Sequence, residues 1–92
     1  MLIDTHTHLD FPDFDGDREA VVRRAVDAGV NRMIAIGTNL QTSRAALALA
    51  DRHPEVYATI GIHPNEVMEV PDDAVSQLEK MAQHPKLVAI GE

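Results

Sequence analysis

His53-Pro54-Glu55-Val56-Tyr57-Ala58-Thr59-Ile60-Gly61 is the stretch on which the fold turns, because it joins a helix end to a buried-type strand. Proline cannot continue a helix, and the β-branched and aromatic run behind it favours a pleated strand. The same arrangement returns, one residue shorter, as His84-Pro85-Lys86-Leu87-Val88-Ala89-Ile90-Gly91. Each copy marks a helix end feeding a strand. Working outward, Met33-Ile34-Ala35-Ile36 is another apolar run without polar alternation, as expected of a strand covered on both faces. Met1-Leu2-Ile3 starts one more strand at the N-terminus.

Helical patterns fill the intervals. Asp17 to Gly29 carries Val21, Val22, Ala25 and Val26 on one stripe, with Asp15 or Asp17 to cap its start and Gly29 to end it. A loop with Pro12 and Gly16 precedes it. Gly37, Thr38 and Asn39 turn the chain into a second helix, from about Gln41 to Arg52, and a third runs from about Asp72 to Gln83 with Val75, Leu78 and Ala82 inward. The order is βαβαβαβ without hairpin signals. That pattern predicts an α/β fold with a parallel sheet and right-handed crossovers.

Composition narrows the function. The chain of 92 residues has room for one small domain, and a domain of that size buries roughly 60–65% of the surface its unfolded form exposes. Hydrophobic residues make up 45%, no apolar run approaches a membrane span, and the N-terminus has no signal-peptide pattern, so a cytoplasmic location with no membrane partner is expected. The absence of cysteine excludes disulfides, thiolate ligands and a cysteine nucleophile. With 8 Lys+Arg against 15 Asp+Glu the formal net charge is −7, which repels polyanions and argues against a broad phosphate-tracking groove. A phosphate-bearing substrate therefore needs bound metal ions to supply positive charge.

The five histidines sort by position. His53 and His84 end helices, where imidazole meets the terminal carbonyls and the helix dipole, and they lie at the N-terminal ends of strands. Their role reads as structural. His6, His8 and His63 follow strands, on the face where parallel α/β folds bind ligands. Residues two apart on a strand share a face, so His6 and His8 are able to converge on one ion, with Asp4 below them. Read locally, His63 fits a turn histidine bonded to backbone as well as it fits a site residue. Glu92, after an apolar run and a glycine, calls for a cationic partner.

Asp4-Thr5-His6-Thr7-His8-Leu9-Asp10, Gly61-Ile62-His63-Pro64 and Ala89-Ile90-Gly91-Glu92, in this order and spacing, resemble the TatD-type metal-dependent deoxyribonucleases. That family belongs to the amidohydrolase-like TIM-barrel hydrolases. The resemblance runs through essentially the whole chain, including the strand and turn Ile34-Ala35-Ile36-Gly37-Thr38. It implies that residues 1–92 are the N-terminal half of a TIM (β/α)8 barrel, a fold of about 250 residues. It further implies two divalent ions, among Zn, Mn, Mg, Fe and Ni, with His6 and His8 binding one and Glu92, the catalytic carboxylate, bridging both. His63 matches a position on the substrate side. The implied activity is phosphodiester hydrolysis on DNA, chiefly single-stranded. The family's later metal ligands have no counterpart in these residues. Two open sheet edges then call for a complementary C-terminal half, or for a second copy in a homo-oligomer. The motifs do not separate this reading from a related barrel hydrolase acting on another ester or amide, or from a non-catalytic half-barrel assembly module.

Overall fold

The structure is a computed structural model that describes residues 1–91. Its elements follow in the order β1 (Leu2–Thr7), α1 (Arg18–Asp27), β2 (Val30–Ile36), α2 (Leu40–Arg52), β3 (Val56–Ile60), α3 (Ala74–Met81) and β4 (Leu87–Ile90). Short 3₁₀ turns at Pro12–Phe14 and Pro64–Glu69 follow β1 and β3. The four strands form one sheet in the order β1-β2-β3-β4, and every neighbouring pair is parallel. The expected βαβαβαβ architecture is therefore the one observed, laid out like four consecutive strands of a parallel barrel.

Of the three helices among the described residues only α2 starts with a side-chain cap; Asp17 stands at the start of α1 but makes no capping hydrogen bond from its side chain, nor does Asp73 at α3. Asn39 caps α2 by accepting from the Thr42 amide, and the Thr42 hydroxyl accepts from the Asn39 amide in return, which satisfies two orphan donors of the first turn. Gly29 ends the α1 segment with φ 103°, a conformation that costs glycine little. The two His-Pro segments fold alike: Val56 donates to the His53 carbonyl and Leu87 to the His84 carbonyl, so the sequence repeat is a repeated turn.

The core lies on one side of the sheet. Met33, Ala35, Val56, Ala58 and Ile60 meet Val22 of α1 and Ala46, Leu49 and Ala50 of α2. Alternate strand residues, Ile34 and Ile36 of β2 with Tyr57 and Thr59 of β3, point to the opposite face. On that face Ile34 and Tyr57 are half-buried while Ile36 and Thr59 are buried, so the expectation of a β2 covered on both faces holds fully for its helix side and only at its C-terminal end on the other.

The third helix corrects another expectation. Val75 is not inward but 67% exposed, and Ala74 is buried instead, with Leu78, Met81 and Ala82 packed on the core. The stripe is set by residues four and three or four apart starting at Ala74, which rotates Val75 by one residue step away from the sheet. Leu2 and Ile3 of β1 and Val88 and Ile90 of β4 are also exposed. These four belong to the two edge strands.

Two close contacts fix the exit of β3, one to α2 and one to the exit of β4, at the end of the sheet carrying His6 and His63. The Gly61 amide donates to the Ser43 hydroxyl (3.2 Å), and Ser43 is fully buried. A Cβ on Gly61 would fall 1.8 Å from the Gly91 carbonyl oxygen, so only glycine fits where β3 and β4 exit.

Candidate metal centre

β1 is not a regular strand at its functional end. Asp4 pairs with Met33 and Thr7 with Ala35, so Thr5 and His6 together oppose the single residue Ile34. This is a β-bulge, a device that twists a strand and re-aims a side chain near active sites. Flanking side chains repair the interrupted ladder. The Asp4 carboxylate accepts from the His6 amide (3.2 Å), and the Thr7 hydroxyl donates to the Ile34 carbonyl (3.0 Å). Asp4 is thus engaged with the backbone of its own strand.

His6 and His8 nevertheless come together. Their ring centres are 5.0 Å apart with planes at 77°. Two imidazoles sharing one tetrahedral ion, with metal–nitrogen bonds of about 2.0–2.1 Å, have ring centres roughly 5 Å apart, so the pair fits a half-site. The Nδ1 atom of His8 is buried without a hydrogen-bond partner among the described residues, a state that costs free energy until a cation or a further donor or acceptor meets it. Among the described residues no third His, Asp or Glu joins the two into a metal-holding group. Glu92, the remaining expected ligand, lies outside the described residues.

The segment after β1 holds His8 in place. Its ring stacks on Phe11, with centres 4.7 Å apart and planes at 20°. Arg18, at the start of α1 and with a side chain only 17% exposed, donates to the Leu9 carbonyl, the Asp10 carbonyl (3.2 Å) and the Phe11 carbonyl (3.0 Å), and pairs with Asp15 (2.8 Å). One guanidinium thus straps three successive carbonyls, which suits its planar set of donors. Asp10 lies under this strap. Burial raises its carboxyl pKa, opposed by a hydrogen bond from its own amide and by the charges of His8 and Arg18. One of its oxygens is buried without a partner among the described residues. Sequence reasoning assigned no role to Asp10, Phe11 or Arg18. The Asp-Phe-Pro triplet two residues beyond His8 is the only signal that pointed there.

His63 stands on the same face beyond β3. Its amide donates to the Thr38 carbonyl (2.7 Å), joining the exits of β2 and β3. Its Nδ1 accepts from the Asn65 amide (3.0 Å). A backbone amide is only a donor, so in the neutral ring the proton sits on Nε2, which is then a donor available to a substrate oxygen. Next to it a cleft of about 180 Å³ is lined by Asn39, Gln41, Ile62, Glu66 and Glu69. Its two glutamates add negative charge to an already acidic chain.

The other two histidines sit at the opposite end of the sheet, as expected. His53 caps the end of α2 and lies 3.4 Å from the Glu19 carboxylate, while His84 donates to the Asp51 carboxylate across 2.7 Å. Because His84 Nδ1 accepts from the Lys86 amide, its Nε2 is the donor to Asp51 in the neutral ring. Lys86 reaches from the start of β4 to the Ala50 and His53 carbonyls (2.7 and 2.8 Å), closing the C-terminal end of α2.

Comparison with known proteins gives this geometry a context. The family model described as TatD related DNase matches residues 3–92. An uncharacterized metal-dependent hydrolase of Escherichia coli K12, YjjV, is 40% identical over 93 residues, covering 99% of this chain and 36% of the relative. A 3′-5′ ssDNA/RNA exonuclease TatD of Enterobacter lignolyticus is 40% identical over 91 residues, covering 99% of this chain and 35% of the relative. The crystal structure of Escherichia coli YjjV, described as a TatD homolog, superposes with a TM-score of 0.88 at 40% identity over 99% of this chain and 36% of that one. The chain spans about a third of the length of these relatives. With the family model matched along nearly all of its residues and the same strand-and-helix layout in a solved homolog, the chain belongs to the TatD-related DNase family.

Proposed function

We propose that residues 1–92 form the N-terminal part of a TatD-type barrel whose whole protein hydrolyses phosphodiester bonds in single-stranded nucleic acid, 3′ to 5′, with two divalent ions. The observation that carries this reading is the pair of imidazoles at the end of β1, 5.0 Å apart, with the His63 ring on the same face. The name of one relative as a 3′-5′ ssDNA/RNA exonuclease supports the substrate class. The names of others as metal-dependent hydrolases support the use of metal.

In this reading His6, His8 and Glu92 would hold the divalent ions. When bound, a pair of ions supplies Lewis acidity and a water of lowered pKa for in-line displacement at phosphorus. The chain's own residues do the positioning. The bulge at Thr5 and His6 sets the first imidazole, and the Arg18 strap with the Phe11 stack sets the second. His63 donates from Nε2 to a phosphoryl oxygen, its ring fixed by the Asn65 amide. The exposed edges β1 and β4 are closed by the complementary C-terminal half of the barrel. The test is the hydrolysis of a 5′-labelled single-stranded oligonucleotide by the whole protein, after chelation and after return of divalent metal. A ladder shortening from the 3′ end only with metal is expected. Metal-restored cleavage of an ester or amide, with the oligonucleotide left intact, would move the assignment to another hydrolase of the same fold.

A further inference from the structure

We propose that Phe11 is a stacking platform for a nucleobase next to the scissile bond, an inference that rests on the function proposed above. The chain contains three aromatic residues of the Phe and Tyr type, and Phe11 is the exposed one closest in sequence to the histidine pair, with 43% of its surface open. One side of its ring lies nearly parallel on His8, at 4.7 Å between centres. A base laid on the open side continues that stack.

The backbone under the ring is unusually constrained for an exposed loop. The Phe11 amide donates to the His8 carbonyl (3.1 Å), and its own carbonyl accepts from Phe14 (3.0 Å) and from Arg18 (3.0 Å). Pro12 follows and fixes the entry into the 3₁₀ turn. A lone exposed phenylalanine carries no message, since such residues are common. Here the ring is pre-oriented, so a ligand that stacks on it pays little ordering cost.

Charge points the same way. Single-strand binding combines a basic groove with aromatic faces on which bases stack. This chain is acidic, and the loop itself carries Asp10, Asp13 and Asp15 around an Arg18 already committed to three carbonyls and one carboxylate. Its contribution to holding a single strand therefore comes from stacking at Phe11. Stacking tolerates every base, so it confers hold without sequence preference.

The experiment compares two oligonucleotides on the metal-loaded whole protein, one ordinary and one carrying abasic residues at its last two 3′ positions. Wild type is expected to show a KM roughly tenfold higher on the abasic strand, since a stacked base contributes about 1–3 kcal/mol and tenfold is about 1.4 kcal/mol. In Phe11→Leu that ratio collapses to about one, and Phe11→Trp restores it. The wild-type ratio needs no variant, so it stands even where Phe11→Leu folds poorly. Equal KM values on both strands in wild type overturn the proposal. So does a Phe11→Leu protein that keeps the full ratio, because Phe11 would then serve only to pack His8. A wild type that cleaves neither strand removes the proposed function, and this inference with it.

Discussion

Replacing Arg18 by methionine isolates the strap that holds the loop after β1. The side chain keeps comparable bulk but loses the donors that reach Leu9, Asp10 and Phe11 and the pair with Asp15. Hydrogen bonds from a charged group contribute about 1.5–3 kcal/mol each, so three carbonyls set a gross ceiling of roughly 5–9 kcal/mol. Two reductions apply. Water rehydrates the Asp10 and Phe11 carbonyls at the surface, leaving about 1 kcal/mol per bond, and the exposed Asp15 pair adds only about 0–0.5 kcal/mol. With about 1.5–3 kcal/mol kept for the bond to the buried Leu9, the expected loss is about 3.5–5.5 kcal/mol, partitioned between folding stability and the order of His8. Urea denaturation of the metal-free whole protein measures it, with an m of about 1–3 kcal/mol/M turning that loss into a midpoint shift of roughly 1–5 M. Arg18→Lys, with one ammonium in place of a fork, should recover only part of the loss. A shift below about 0.5 kcal/mol for Arg18→Met would refute the view that this guanidinium organises the loop.

Gly61→Ala should lower stability by about 2–4 kcal/mol and force β4 away from β3, because the new methyl meets the Gly91 carbonyl; a melting curve and amide exchange at Gly91 check both. Lys86→Met removes the ammonium from the last carbonyls of α2, and a loss of about 1–2 kcal/mol in urea denaturation is expected, with faster amide exchange confined to the end of that helix. Asp10 supplies a pH test. Its folded pKa is raised, so the folded state binds the proton more tightly than the unfolded state and the ionised form costs stability at neutral pH. Asp10→Asn should therefore stabilise the metal-free protein at pH 7. That advantage should shrink as pH falls through the raised pKa and vanish below the ordinary carboxylate range; denaturation midpoints across pH 3–8 give the profile.

Sequence patterning conveyed the order of elements because β2, β3 and β4 carry apolar runs bounded by glycine or proline, while β1 shows only an apolar start. Val56–Ile60 and Leu87–Ile90 emerged with their turns as a repeat, and the turns did fold alike. The division of histidines between the two ends of the sheet was equally legible, since position relative to a strand is a property of chain order. Register was not. A period-two pattern cannot announce an extra residue, so the bulge at Thr5 and His6 and the use of Asp4 and Thr7 to mend it came only from the structure. Val75 was misplaced because α3 is short, and over eight residues a stripe beginning at Ala74 and one beginning at Val75 look alike. Arg18 left no trace in the sequence because its partners are carbonyls, which every residue carries.

The metal half-site proposed at the end of β1 makes the metal content of the purified whole protein the decisive quantity. Inductively coupled plasma analysis of wild type beside the double variant His6→Ala/His8→Ala, with circular dichroism to confirm that both are folded, is the measurement. About two divalent ions per wild-type chain are expected, with at least one lost from the folded variant. Equal metal content in the two folded proteins would contradict the proposed half-site.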